Sequence, residues 1–283
     1  MIARETTIDG AFVEACLAEL DALKPGNVHR YAPGHRMDFN DFVRSARASA
    51  LHIGRRGSSV GARVRGAVDA TLVAVGQNTN LGIVLLCAPL AAAAEAAGGD
   101  LRTSLSVVLD RLDSQDATDV FAAIAAANPG GLGRVPEHDV HEPPTVSLLE
   151  AMKAAAHRDQ IARQYVTDYE DVFSVGLEAL RVAARQGLRP RWSTLAVYLA
   201  FLANFPDTHV ARKFGLGTAE AVRQEAAVWR RKVAETADPA ALIPTLLQWD
   251  TALKARGVNP GASADLTVAT LFASMLNTSL HQC

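Results

Sequence analysis

Residues 24–38 read Lys24-Pro25-Gly26-Asn27-Val28-His29-Arg30-Tyr31-Ala32-Pro33-Gly34-His35-Arg36-Met37-Asp38. Two Pro-Gly steps keep this stretch out of a long helix. Lys24, His29, Arg30, His35 and Arg36 supply cations and imidazoles, and Asp38 closes the stretch with a carboxylate. A cationic loop ending in an acid suits a polyphosphate carrying a divalent metal. The plainer alternative is an interhelical loop with solvated charges. A second stretch, Asn259-Pro260-Gly261-Ala262-Ser263-Ala264-Asp265-Leu266, opens the last helix. Gly261 lets backbone approach a ligand, Ser263 can cap, and Asp265 lies in the first turn.

Helix N-termini bind anions through free N–H groups and the dipole. Three helix starts here follow Gly, Pro, Asn and Ser: those after Asp38, after Asn80 and after Pro260. Asp38 and Asp265, on facing helix starts, would serve as two ligands of a Mg²⁺ that also binds phosphate oxygens. Each has a structural alternative. Asp38 stands where an N-cap belongs, with Asp41 in the first turn, and Asp265 complements a helix dipole. The stretch Phe205–Gly215 is densely ionisable, with Asp207, His209, Arg212 and Lys213. His138-x-x-His141, flanked by Glu137 and Glu142, offers two imidazoles but no helix to align them for a metal. There is no GxxxxGK[ST] loop and no GxGxxG after a strand, so a nucleotide must be held another way.

The elements that position these residues read as helices. Apolar residues recur at helical spacing over 8–23, 39–50, 57–75, 101–127 (two helices), 145–166, 168–186, 191–204, 218–236 and 240–255. Residues 82–97 are apolar nearly all round and belong at the centre of a bundle. The polar hinge Asn78-Thr79-Asn80-Leu81-Gly82 is then buried with that helix, and its amides need partners or a ligand. Arg63 and Arg65 fall on the polar side of 57–75. A Gly/Pro-rich loop fills 128–144. No segment alternates with a strand period, and no repeat recurs at 30–45 residues. The expectation is an all-α bundle of about a dozen helices, forming one domain over residues 1–283.

Net charge is −2, so no bulk field favours nucleic acid, and recognition must be local. The three cysteines, Cys16, Cys87 and Cys283, form no zinc pattern, which suits a reducing cytoplasm. Pro89 and Glu95 interrupt the most apolar stretch, which speaks against a membrane span. The Ala-rich face of 91–97 could pack in a homodimer.

The loops resemble the triphosphoribosyl-dephospho-CoA synthase family. The resemblance runs through Lys24-Pro25-Gly26-Asn27-Val28, Gly34-His35-x-Met37-Asp38, Asn78-Thr79-x-x-Gly82, Asp207 to Gly215, and Asn259 to Leu266. Any one motif is weak, but five in order span most of the chain. The resemblance implies an all-α enzyme that uses ATP as a ribosyl donor. An acceptor hydroxyl attacks C1′ of the ATP ribose, adenine leaves, and the anomeric centre inverts. In that frame Asp38, Asp265 and His35 are the catalytic candidates, with Asp38 and Asp265 holding Mg²⁺. Lys24, His29, Arg212 and Lys213 contact phosphates, and Asn78 and Asn259 orient ribose or phosphate. Gly26, Asn27, Thr79, Asn80, Gly82, Asp207, His209, Gly261 and Ser263 complete the nucleotide site.

Two departures bear on the acceptor. The family's Asn-Thr-His-Lys-Gly is here Asn78-Thr79-Asn80-Leu81-Gly82, so a cation is lost. The family's central Arg-Gly-Glu and Gly-Phe-Pro segment is replaced by the 128–144 loop, where Arg134 is the one counterpart. This resembles a branch associated with one-carbon metabolism, whose acceptor would be a tetrahydromethanopterin-pathway hydroxyl instead of dephospho-CoA. Two other classes compete with transfer: a metal-dependent nucleotide or ADP-ribosyl hydrolase, and a non-catalytic nucleotide-binding helical protein.

Overall fold

The computed structural model describes residues 7–34, 37–96, 100–129 and 139–280. Fourteen α-helices follow one another among them, and no strand does. They are α1 (Ile8–Asp21), α2 (Phe39–Ile53), α3 (Val60–Val75), α4 (Leu81–Glu95), α5 (Leu101–Asp110), α6 (Ser114–Ala127), α7 (Leu148–Ala155), α8 (Gln160–Val166), α9 (Leu177–Arg185), α10 (Pro190–Asn204), α11 (Thr208–Phe214), α12 (Leu216–Glu235), α13 (Ile243–Ala255) and α14 (Gly261–Leu280).

Helix α4 is the apolar helix of the sequence and packs against α1, α2, α3, α5, α8 and α14. Burying an all-apolar cylinder takes neighbours on every side, and α4 has them. Pro89 stands inside it and cannot donate to Leu85 O four residues back. Tyr165 Oη donates to Leu85 O at 2.6 Å, and Tyr169 Oη donates to Leu86 O at 3.0 Å. Both tyrosines are fully buried, so two hydroxyls satisfy backbone beside the proline. The chain reaches them through positive φ at Asp168 and Tyr169, then a π-helical turn at Asp171–Gly176. Tyr165→Phe leaves Leu85 O unpaired in the core and should cost about 1–3 kcal/mol, read as a lower urea midpoint at unchanged slope.

Two apolar clusters form the interior. The larger gathers α1 to α7 around α4 and α14. The smaller gathers α10, α12 and α13. Helix α10 serves both: Val197 and Phe201 face the first, and Leu195, Tyr198 and Leu199 the second.

Three features differ from the sequence expectation. Residues 145–166 are not one helix. Ser147 caps α7, the chain breaks after Ala155, and Asp159 caps α8. Residues 208–214 form a short helix inside the expected break. Arg63 is not on a polar face: it is 1% exposed, donates to Ile53 O and Ser58 O, and pairs with Glu95 at 2.8 Å. It is buried because it satisfies carbonyls at the end of α2 that have no helical partner.

Candidate functional site

A cavity of about 910 Å³ opens where the starts of α4, α8, α11 and α14 meet. Asn78, Thr79, Asn80 and Gly82 line it from the α4 start. Asn259, Gly261 and Asp265 line it from the α14 start, and His209 and Arg212 from α11. Glu19 and Asn27 reach it from α1 and the following loop. Side chains of α6 and α7, including Phe121, Leu148 and Met152, make an apolar wall.

The polar floor is one connected network. Lys24 is 0% exposed; its Nζ lies 2.7 Å from Glu19 Oε1 and donates to Asn27 Oδ1 and Val28 O. Asn27 Nδ2 donates to Asn259 Oδ1 at 2.8 Å. So the first and last of the singled-out stretches are tied by an amide pair across 232 residues. Burial pushes the Glu19 carboxyl up and the Lys24 amine down, and their mutual contact opposes both shifts.

A second network anchors the 24–34 loop on α13. Asp250 Oδ1 accepts from Gly26 N at 2.8 Å, and Asp250 Oδ2 is 3.0 Å from Lys254 Nζ. His29 Nδ1 accepts from Tyr31 N, so the ring is neutral with its proton on Nε2. Nε2 lies 3.3 Å from Asp250 Oδ1 but falls short of hydrogen-bond geometry. Burial holds the His29 pKa below its usual value, against the pull of Asp250. The unfolded chain therefore binds a proton more readily than the fold. The associated stability is full above about pH 6.5, the unfolded histidine value, and declines as pH falls below it. We expect the thermal midpoint of the wild type to drop relative to that of His29→Gln as pH falls below about 6.5, the gap widening with acidity.

Asp207 is 0% exposed and joins two helix starts. Its Oδ1 accepts from His209 N and Val210 N, and its Oδ2 from Ser263 N and Ser263 Oγ. Burial pushes its pKa up, and these four donors hold it down. Their number favours the carboxylate.

Asp265 is different. It lines the cavity and is partly accessible there, and no hydrogen bond to its carboxylate is found among the described residues. Its pKa is raised well above the carboxylate range by burial, then by the charges of Glu19, Asp207 and Asp159, with Lys24 opposing. Gly82 makes room for it: a Cβ there would stand 2.0 Å from Asp265 Oδ2. Gly261 likewise makes room for His209, whose Nδ1 would be 2.3 Å from a Cβ. The glycines of the two helix starts are thus close-approach positions for cavity side chains.

The residues singled out in the sequence separate into three groups. Asn27, Asn78, Thr79, Asn80, Gly82, His209, Arg212, Asn259, Gly261 and Asp265 line the cavity. Lys24, Gly26, His29, Asp207 and Ser263 lie outside its wall, in the networks described above. Lys24 and His29, expected at phosphates, are buried instead: Lys24 pairs with Glu19, since an unpaired interior charge is too costly, and the neutral His29 ring lies against Asp250. Asp207 and Ser263 are engaged with each other at two helix ends. Asp38 and Lys213 are exposed and outside the cavity wall. Asp38 forms a reciprocal capping box with Asp41, so its carboxylate oxygens serve the α2 start and are not paired with Asp265. His35, Arg36, Arg134, Glu137 and His138 lie outside the described residues. Among the described residues no group of three His, Cys, Asp or Glu side chains is arranged for a metal. Asn78 Oδ1 accepts from Leu81 N, Thr79 Oγ1 bonds Ser45 Oγ, and Asn80 Nδ2 donates to Ser49 Oγ, so the hinge amides have internal partners.

The sequence reading missed Glu19, His157, Arg158, Asp159, Gln160 and Arg163, all on the cavity wall. Glu19 carries no signal beyond its place five residues before Lys24. His157, Arg158 and Asp159 occupy the break between α7 and α8, and Gln160 and Arg163 lie in the first turn of α8. The run His157-Arg158-Asp159 is a helix-stop and cap signal that apolar spacing on both sides conceals.

A family model described as ATP:dephospho-CoA triphosphoribosyl transferase matches residues 5–282. The chain is similar to a crystal structure from Archaeoglobus fulgidus, provisionally named a triphosphoribosyl-dephospho-CoA synthase. The two share 24% identity at a TM-score of 0.61, over 84% of this chain and 98% of that one. At that identity the likeness speaks to the fold. No curated protein matches the chain.

Proposed function

The chain belongs to the ATP:dephospho-CoA triphosphoribosyl transferase family, and from that premise we propose that its cavity moves the triphosphoribosyl group of ATP to an acceptor hydroxyl and releases adenine. One observation carries this reading: stretches scattered from Glu19 to Asp265 meet in one cavity around a carboxylate that no described donor satisfies.

The reaction breaks the bond from C1′ to the adenine nitrogen and forms a bond from C1′ to the acceptor oxygen. The bonding pair leaves with adenine, which must gain a proton, and the acceptor hydroxyl must lose one. Inversion puts the leaving and attacking groups on opposite faces of the ribose, as in inverting glycoside hydrolysis, where one carboxyl acts as acid and another as base. Asp265 and Glu19 suit that division. Asp265, among like charges, holds its proton and donates it to adenine. Glu19, against Lys24, keeps carboxylate character and accepts the hydroxyl proton. The side-chain amides of Asn27, Asn78 and Asn259 lie where ribose hydroxyls would need orienting. Arg158 and Arg163, both exposed on the rim, meet the triphosphate together with Arg212.

Mg²⁺ belongs to this reading as an ion carried by the triphosphate. It usually takes one or two protein carboxylates and fills its shell with phosphate oxygens and water. The triphosphate and water would supply most of that shell, which fits the lack of a three-ligand cluster among the described residues. Bound there, it would neutralise phosphate charge.

The acceptor is dephospho-CoA or a tetrahydromethanopterin-pathway hydroxyl. Asn80 and Leu81 on the wall, in place of the family's His-Lys, favour an acceptor with less negative charge. Among the described residues no helix is long and apolar enough to cross a membrane. Cys16 and Cys87 are free, buried thiols, which suits a cytoplasmic enzyme. A homodimer through the end of α4 completes the reading. Adenine release from ATP, measured with and without each acceptor, is the test. Release that needs an acceptor supports transfer; release without one indicates a hydrolase; no release under any condition removes catalysis.

A further inference from the structure

This inference rests on the preceding reading in one respect, that the donor is an adenine nucleotide, and it adds the residue that reads the base. Gln160 is 4% exposed and stands on the cavity wall at the start of α8. Its backbone N–H is fixed by Thr208 Oγ1 at 3.2 Å. Neither Nε2 nor Oε1 of its amide has a hydrogen-bond partner. His29, Thr71 and Gln164 also carry buried atoms without a hydrogen-bond partner, and Arg63 and Glu95 meet as an ion pair without hydrogen-bond geometry, but none of them lies on the cavity wall. Among the described residues Gln160 alone combines both properties.

Buried polar side chains are almost always paired, and leaving one unpaired destabilises the protein that carries it. A buried amide that a ligand completes also discriminates strongly, because a ligand with the wrong edge leaves it unpaired again. The amide offers an acceptor oxygen and a donor nitrogen side by side. Adenine presents the complementary pair at N6–H₂ and N7, which glutamine reads with two bonds. Guanine presents two acceptors on the same edge, N7 and O6, so Oε1 would find no donor. The depth of the residue agrees. Gln160 is buried, whereas Arg158 and Arg163 on either side of it are exposed at the rim. A nucleotide entering base first would bring its purine to the amide and leave its triphosphate among the arginines. The amide is turned away from water here, but the terminal torsion of glutamine is broad, so it can turn into the cavity it lines.

We propose that Gln160 recognises the N6–N7 edge of the donor's adenine and sets the preference of the site for ATP over GTP. The test is calorimetric binding of ATP, GTP and 7-deaza-ATP to the full chain and to Gln160→Leu, with thermal melts of both free proteins. Leucine keeps much of the side-chain volume and removes the unpaired atoms. The wild type should bind ATP at least about tenfold more tightly than either analogue, as one well-made polar contact gives. Gln160→Leu should bind all three alike and melt no lower than the wild type, because an unpaired amide contributes nothing to the free fold. Retained ATP preference in Gln160→Leu would overturn the proposal. So would a lower melting point with selectivity intact, which would mean an ordered water already satisfies the amide. A wild type that binds ATP selectively yet releases no adenine with any acceptor would remove the transfer reading and leave this inference standing.

Discussion

Asp265→Asn is expected to give a folded protein that binds ATP and releases adenine about 10²- to 10⁴-fold more slowly, the range for loss of a general acid or base. Asparagine matches aspartate in shape and can still donate a hydrogen bond, but it has no proton to give at neutral pH. Stability should not suffer. The pKa of Asp265 is raised by burial and by Glu19, Asp207 and Asp159, so the folded chain binds that proton more readily than the unfolded chain does. That difference opposes folding, and a neutral amide removes it. The pH profile separates chemistry from scaffolding. If the protonated form is the working form, wild-type turnover falls as pH rises through the raised pKa of Asp265. The residual turnover of Asp265→Asn lacks that falling limb. Asp38→Asn is the control. Asn caps a helix nearly as well as Asp, and Asp38 is exposed in its capping box with Asp41, so that variant should keep its rate. Normal adenine release by Asp265→Asn at saturating ATP and acceptor would remove Asp265 from the mechanism.

Charge and periodicity in the sequence reported two different things about this protein. Periodicity located the helices, because burial on one face repeats every three to four residues whatever the face touches. It located α4 best, since that helix is apolar all round. It failed at Ala156–Asp159, where Met152 and Ile161 keep an apolar rhythm across a break. That break holds His157 and Arg158 and sets the start of α8 at Gln160, so one missed boundary concealed much of one cavity wall. Charge in the 24–38 loop pointed to a functional region but not to which groups face a ligand. Lys24 and His29 are among the most buried polar residues, and their partners Glu19 and Asp250 lie on other elements. Nothing local in the sequence separates a cation that meets phosphate from one that braces the wall behind it. The order of the short stretches was more informative. Asn27 and Asn259 meet, Asp207 and Ser263 meet, and Gly82 and Asp265 meet.

The last of these contacts leads to the second large effect. Gly82→Ala should lower adenine release by about 10²-fold, the size expected when a reacting group is displaced by about 1 Å. The added Cβ would stand 2.0 Å from Oδ2 and 2.6 Å from Cγ of Asp265, so one of the two must move. Helix α4 resists moving. Its first turn is held by Asn78 Oδ1 at Leu81 N and by Asn80 at Ser49, and its body is enclosed by six other helices. Asp265 can turn, because no described donor holds its carboxylate. The helical backbone of α4 suits alanine better than glycine, which offsets part of the usual cost of about 1–3 kcal/mol for overpacking. The variant should therefore lose more activity than stability. A cycle with Asp265→Ala separates the causes. Once the carboxylate is gone, alanine at 82 has nothing to strike, so Gly82→Ala/Asp265→Ala should melt no lower than Asp265→Ala alone. It should also be no slower, since the displaced group is already absent. If Gly82→Ala slows the Asp265→Ala enzyme by a further factor as large as its effect on the wild type, the glycine acts on ATP directly and not through Asp265.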